Sequence, residues 1–217
     1  MRGRAVAGFH RDAAEACFSG REVEAQIRRR LAALRAQCDG EPELARFLGD
    51  SFAPLLEHVV NSAKGKMAAA GLDFTATLPQ EKRSLVPSDF GFHNSLRRAD
   101  GTLAFVDFEY FGRDDPVKLT ADVLHHPGTP QGPLQRDRFR SAALAIYGAD
   151  ASFGARLEAL YPLFGLRWGL ILLNEFLPDR WRLRVAAGET ESWAHAKTRQ
   201  LSRARELLAR TERMANG

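Results

Sequence analysis

The chain has 217 residues, 45% apolar and 27% charged, and its 31 basic and 27 acidic residues leave a formal charge of +4. That composition fits one compact domain, and so mild a basic excess without a recognition motif excludes a nucleic-acid partner. The most apolar tract, residues 160–177, is interrupted by Arg167, Asn174 and Glu175, which excludes a membrane span in favour of a buried helix.

In chain order, the first sixteen residues mix charged and small side chains without an apolar segment, so no secretory signal is expected. Ser19 followed by Glu22 predicts a helix start, with Val23, Ile27, Leu31 and Leu34 on one face until Asp39-Gly40 ends it. Arg28-Arg29-Arg30 lies on that helix one or two turns after Glu22 and Glu24, the pattern of a solvated face. Leu44, Phe47, Leu48, Phe52, Leu55, Leu56, Val59 and Val60 carry the same period through a second helix ending near Gly71. Together these form a helical back over 19–71. Cys17 and Cys38 have neither a Cys-x-x-Cys pairing nor matching His spacing, which suits a reducing, cytoplasmic setting.

The period changes at Ser84. Leu85-Val86 reads as a strand entering the loop Pro87-Ser88-Asp89-Phe90-Gly91-Phe92-His93-Asn94. Residues 94–98 then pair with 102–108 across Asp100-Gly101, a strong hairpin signal. Antiparallel pairing puts Asn94 at the start of one arm and Asp107 near the end of the other, so the two converge. Asp107 stands in an apolar run, where a buried carboxylate calls for a partner or a metal. Glu109, two residues on, shares its side if the strand continues.

Asp115-Pro116 opens a helix as cap and first residue, with Leu119 and Val123 inward, Asp122 on a later turn and His126-Pro127 closing it. His125 and His126 do not make a His-x-x-x-His pair, so zinc is not expected. After a loop over 128–133, helices are expected over 135–147, over 153–177 with a kink at Pro162, and over 190–213. The fold class is mainly α (α+β), one domain over 1–217, with the catalytic loop and hairpin at 84–116 and a helical region at 116–213.

Asp89, Asn94 five residues later and Asp107 eighteen residues after Asp89 have the types and spacing that phosphoryl transfer uses. One carboxylate aims an alcohol, while an amide and a second carboxylate hold magnesium against the nucleotide. Asp89-Phe90-Gly91 also spells the metal-binding Asp-Phe-Gly of protein kinases, but no Asp-x-x-x-x-Asn lies upstream of it. Asp73, for example, has Leu78 at the required place.

On these residues the chain resembles the aminoglycoside phosphotransferases and their relatives among the choline and homoserine kinases. That family's loop reads His-Gly-Asp-x-x-x-x-Asn, followed by a strand ending in Ile-Asp, then Gly-Asp-Pro and a helix with a further Asp. Here stand Ser88-Asp89 through Asn94, Val106-Asp107, Arg113-Asp114-Asp115-Pro116 and Asp122. Asp107-Phe108-Glu109-Tyr110 is similar to the choline-kinase metal strand, and Pro87 replaces the family's His. The similarity covers residues 85–127.

The resemblance implies the C-terminal lobe of a protein-kinase-like fold with a small catalytic hairpin. It implies transfer of phosphate from ATP or GTP to a hydroxyl of a small molecule, with Asp89 as base and Asn94 and Asp107 on Mg2+. Asp115 would buttress the loop and Asp122 give structural support, while Glu109 is expected as an outer metal group or a salt-bridge partner and His93 as a neighbour of the metal-binding amide. Asn174 and Glu175, near Asp179 and Glu191, would line an acceptor site suited to an amino-bearing or choline-like alcohol. The 88 residues before Asp89 contain neither a Gly-rich strand-turn-strand nor a strand Lys paired to a helix Glu. A nucleotide-binding lobe is therefore expected to lie upstream of this start, to come from a separate partner, or to be absent with activity impaired, and an apolar surface that lost its lobe would favour self-association. The alternative is a truncated, catalytically impaired lobe that serves as a binding or interaction module.

Overall fold

The structure, a computed structural model, describes residues 11–128 and 132–216. It is mainly helical, with a few short strands in two small sheets. The elements run α1 (Gly20–Arg35), α2 (Pro42–Arg46), α3 (Ala53–Ala69), β1 (Ser84–Val86), β2 (Ser95–Arg97), β3 (Leu103–Phe105) and β4 (Gly112–Asp114). There follow α4 (Pro116–His125), α5 (Pro133–Tyr147), α6 (Phe153–Leu172), α7 (Pro178–Ala186) and α8 (Trp193–Asn216). Contacts divide the chain into two compact units. One comprises the described residues up to Phe18 with Thr77–Gly154, the other Ser19–Ala76 with Ala155–Gly217. Among the described residues no helix is long and apolar enough to cross a membrane.

In the second unit, the Ser19 hydroxyl accepts the Glu22 N–H at 3.2 Å and starts α1, whose Val23, Ile27, Leu31 and Leu34 are buried. The helix expected to run on to Gly71 comes in pieces: α2, a π-helical turn over Phe47–Phe52, then α3. Pro54 explains the break. It has no N–H to give to the preceding turn, and beside it Ala53 N–H reaches back to Leu48 C=O, the wider π spacing. Likewise α6 stops at Leu172 instead of continuing to 177, and a 3-10 turn over Leu173–Phe176 follows. Leu177 precedes Pro178 and is forced extended, at φ −90° and ψ 113°. Pro178 then begins α7, a helix not expected from the sequence.

In the first unit, β1 and β4 pair antiparallel with Leu85 opposite Arg113. A further strip at residues 11–13 lies beside β4, with Arg113 N–H to Arg11 C=O and Ala13 N–H to Arg113 C=O, both 2.9 Å. Only glycine fits at 112, since a Cβ there would lie 2.3 Å from the Ala13 nitrogen. The expected hairpin forms between β2 and β3, with Leu96 opposite Ala104. Gly101 turns it at φ +86°, and Asp100 Oδ1 accepts the Thr102 N–H at 2.9 Å. Its arms are shorter than expected, because β3 ends at Phe105. Asp115 Oδ1 caps α4 by accepting the Val117 N–H at 2.8 Å. Val123 is buried as expected, while Leu119 is half-buried.

Candidate active site

The loop between β1 and β2 is held against the hairpin by the Phe90 and Phe105 rings, whose centroids are 4.6 Å apart. Just before Asp89 the backbone of Ser88 takes φ +62°. Asn94 closes a 3-10 turn, Phe92–Asn94, and its side-chain amide turns back on Asp89. Nδ2 donates to the Asp89 main-chain carbonyl at 2.9 Å and approaches Oδ2 at 3.3 Å. With the NH2 end so engaged, the other end of the amide is a carbonyl oxygen, a hard donor suited to a cation.

The Val106 N–H donates to Asn94 C=O at 2.9 Å, extending the hairpin register by one pair beyond Ser95 and Phe105. Asp107 therefore follows directly on the cross-strand neighbour of Asn94. There the chain turns at φ +62°, which ends the strand. Asp89 is open to solvent, its side chain 41% exposed. The structure thus brings Asp89 and Asn94 into contact and places Asp107 one residue past the pair.

Several expectations need correction. Asp107 is exposed and not buried in a strand, so its carboxylate has no need of a partner on grounds of burial. Glu109 shares no strand face with Asp107, because the strand has already ended and Glu109 stands exposed in a turn. Asp122, expected as structural support, lies 3.2 Å from Lys118 Nζ in its own helix and needs no such correction. Glu175 is buried and held by Arg184 and by Gln200 Nε2 at 3.2 Å, and its carbonyl accepts from Trp193 Nε1 at 2.5 Å. It anchors the second unit and is not an open acceptor carboxylate. Asn174 is half-buried in the same 3-10 turn and accepts the Leu177 N–H. Asp179 and Glu191 bind Arg182 and Arg199 at 2.7 and 2.6 Å, so these acids form separate ion pairs. Asp115 is the helix cap expected of it. The His93 side chain lies outside the described residues.

Two features escaped the sequence reading. Lys118, buried in α4, sits 3.0 Å from Asp114 and 3.2 Å from Asp122, an acid–base–acid row at i, i+4 spacing. Asp114 Oδ1 also accepts the N–H groups of Cys17 and Asp115, at 3.0 and 2.8 Å. Burial pushes the Asp114 carboxyl up to about 6, against the opposing pull of Lys118. Lys118 Nζ lies 3.0 Å from Asp114 Oδ2, and this contact pulls the carboxyl down against the effect of burial. A polar helix position that proves buried gives no periodic signal. The second feature is His126, whose Nε2 lies 3.7 Å from Asp89 Oδ1.

Among the described residues no three His, Cys, Asp or Glu side chains converge to hold a metal by themselves. An amide oxygen and a carboxylate nonetheless fit magnesium, which takes one or two protein oxygens and completes its shell from phosphates and water. No protein family, curated protein or solved structure matches this chain.

Proposed function

We propose that this chain is a phosphotransferase that moves the terminal phosphate of ATP or GTP to a hydroxyl of a small molecule, through a site built like the C-terminal lobe of a kinase. The observation that carries this reading is the Asn94 amide, tied to the Asp89 carbonyl at 2.9 Å and one register step from Asp107. This fixes the base-bearing loop and a candidate cation ligand as one piece. Asp89, half-exposed, accepts the proton of the acceptor hydroxyl as its oxygen bonds to phosphorus and the bond to the nucleoside diphosphate breaks. Asn94 and Asp107 would hold Mg2+, which neutralises the phosphate charge.

The test is transfer from γ-labelled ATP with Mg2+ to a panel of aminosugars and choline-like alcohols. Replacing Asp89 with Asn should lower turnover about 10²- to 10⁴-fold with the fold intact. A variant within a few-fold of the parent overturns the assignment. A second reading, a binding module, is favoured by six large apolar side chains exposed between Phe92 and Tyr110: Phe92, Leu96, Leu103, Val106, Phe108 and Tyr110. Calorimetry with MgATP separates the two, since only the enzyme requires nucleotide affinity.

A further inference from the structure

The residue after α4 approaches the proposed base from outside its own loop. His126 caps α4, its N–H donating to Asp122 C=O at 2.9 Å, and its side chain is only 14% exposed. Its Nδ1 accepts the Gly128 N–H at 3.0 Å. A neutral imidazole has one acceptor nitrogen, so that bond assigns the proton to Nε2. Nε2 is the atom 3.7 Å from Asp89 Oδ1, while Asn94 approaches the other oxygen, Oδ2.

We infer that His126 is a positioning residue for Asp89, holding the plane of its carboxylate between the His126 Nε2–H and the Asn94 amide. The kinetic consequence rests on the phosphotransfer reading, whereas the geometry does not. At 3.7 Å the contact exceeds hydrogen-bond length, and Asp89 is exposed enough to close it. Catalytic contacts commonly tighten only when the acceptor enters. His126 is not itself the base, because the backbone of Gly128 occupies its acceptor nitrogen. Pro127 follows directly and leaves His126 extended at φ −60° and ψ 122°, so α4 ends here and the imidazole is carried at its C-terminus.

Long-range 1H–15N correlation spectra of the full chain test the geometry without any substrate. His126 should appear as the Nε2–H tautomer, and Asp89→Ala should shift its Nε2 resonance while the other five histidines hold. An Nδ1–H tautomer, or an unmoved Nε2, overturns the inference. The second arm follows MgATP consumption with water as acceptor. His126→Phe should lower kcat about 10- to 100-fold, as displaced catalytic groups do, with KM for MgATP unchanged. His126→Gln, whose terminal amide offers an N–H at similar reach, should recover most of that loss. A Gln variant as slow as the Phe variant overturns the positioning role. If the spectra hold and the parent neither consumes MgATP with water nor transfers its phosphate to any of the aminosugars and choline-like alcohols, the phosphotransfer reading fails and the Asp89–His126 geometry stands.

Discussion

Ser88 and Asp107 both take φ +62° at the edges of the candidate site, a region that non-glycine residues seldom occupy. They differ in how well their side chains tolerate it. Asp and Asn are several-fold enriched in this conformation, so Asp107→Asn is the variant that removes charge while keeping the backbone. Ser88 has no such advantage, and its hydroxyl is buried without a hydrogen-bond partner among the described residues. The left-handed region costs an L-residue about 1–2 kcal/mol, against about 0.5–1 kcal/mol for the extra chain entropy that Gly loses on folding. Removing the orphaned hydroxyl adds to the balance on the same side. Ser88→Gly should therefore stabilise the chain by about 1 kcal/mol in urea denaturation. A loss of stability would mean that the hydroxyl is satisfied in solution.

At the scale of elements, strong local signals carried through. The Ser19 and Asp115 caps, the Asp100-Gly101 turn and the α1 face all stand where the sequence puts them. The misses have two causes: Pro54 and Pro178 interrupt the helices locally, whereas tertiary contact decided the β1–β4 pairing. The β1–β4 pair draws its second strand from Gly112-Arg113-Asp114, a tripeptide with no apolar alternation, and α7 is mostly exposed. The Asp114–Lys118–Asp122 row was invisible because charges at i, i+4 normally mark a solvated face. Its burial has a measurable result. Asp114 binds its proton more tightly folded, near pH 6, than unfolded, near 3.8, so the folded state holds more protons between those values. Stability from this group is thus present at low pH and falls as pH rises through that window, by about 3 kcal/mol in all. Compared with Asp114→Asn in denaturant titrations, the parent should lose relative stability from pH 4 to pH 7. A relative gain would mean that the attraction of Lys118 outweighs desolvation.

For the molecule as a whole, the proposed residues Asp89, Asn94, Asp107 and His126 all fall within one compact unit, while the acids first expected to bind the acceptor belong to the other. The net charge of +4 is compatible with a polyanionic nucleotide, though too small to select one. If the site binds MgATP, mass action must stabilise the folded chain. At a hundredfold excess over Kd the gain is about 2.7 kcal/mol, which for a chain of this length raises Tm by roughly 5–10 °C. Hydrogen exchange should show that protection concentrated over residues 87–107. Asp107→Asn should lose most of the shift with MgATP while melting like the parent without it, because the substitution keeps the turn and removes one metal oxygen charge. An undiminished shift in that variant would place the nucleotide elsewhere. No shift in the parent at millimolar MgATP would favour the binding module, since a phosphotransferase cannot turn over a nucleotide that it does not hold.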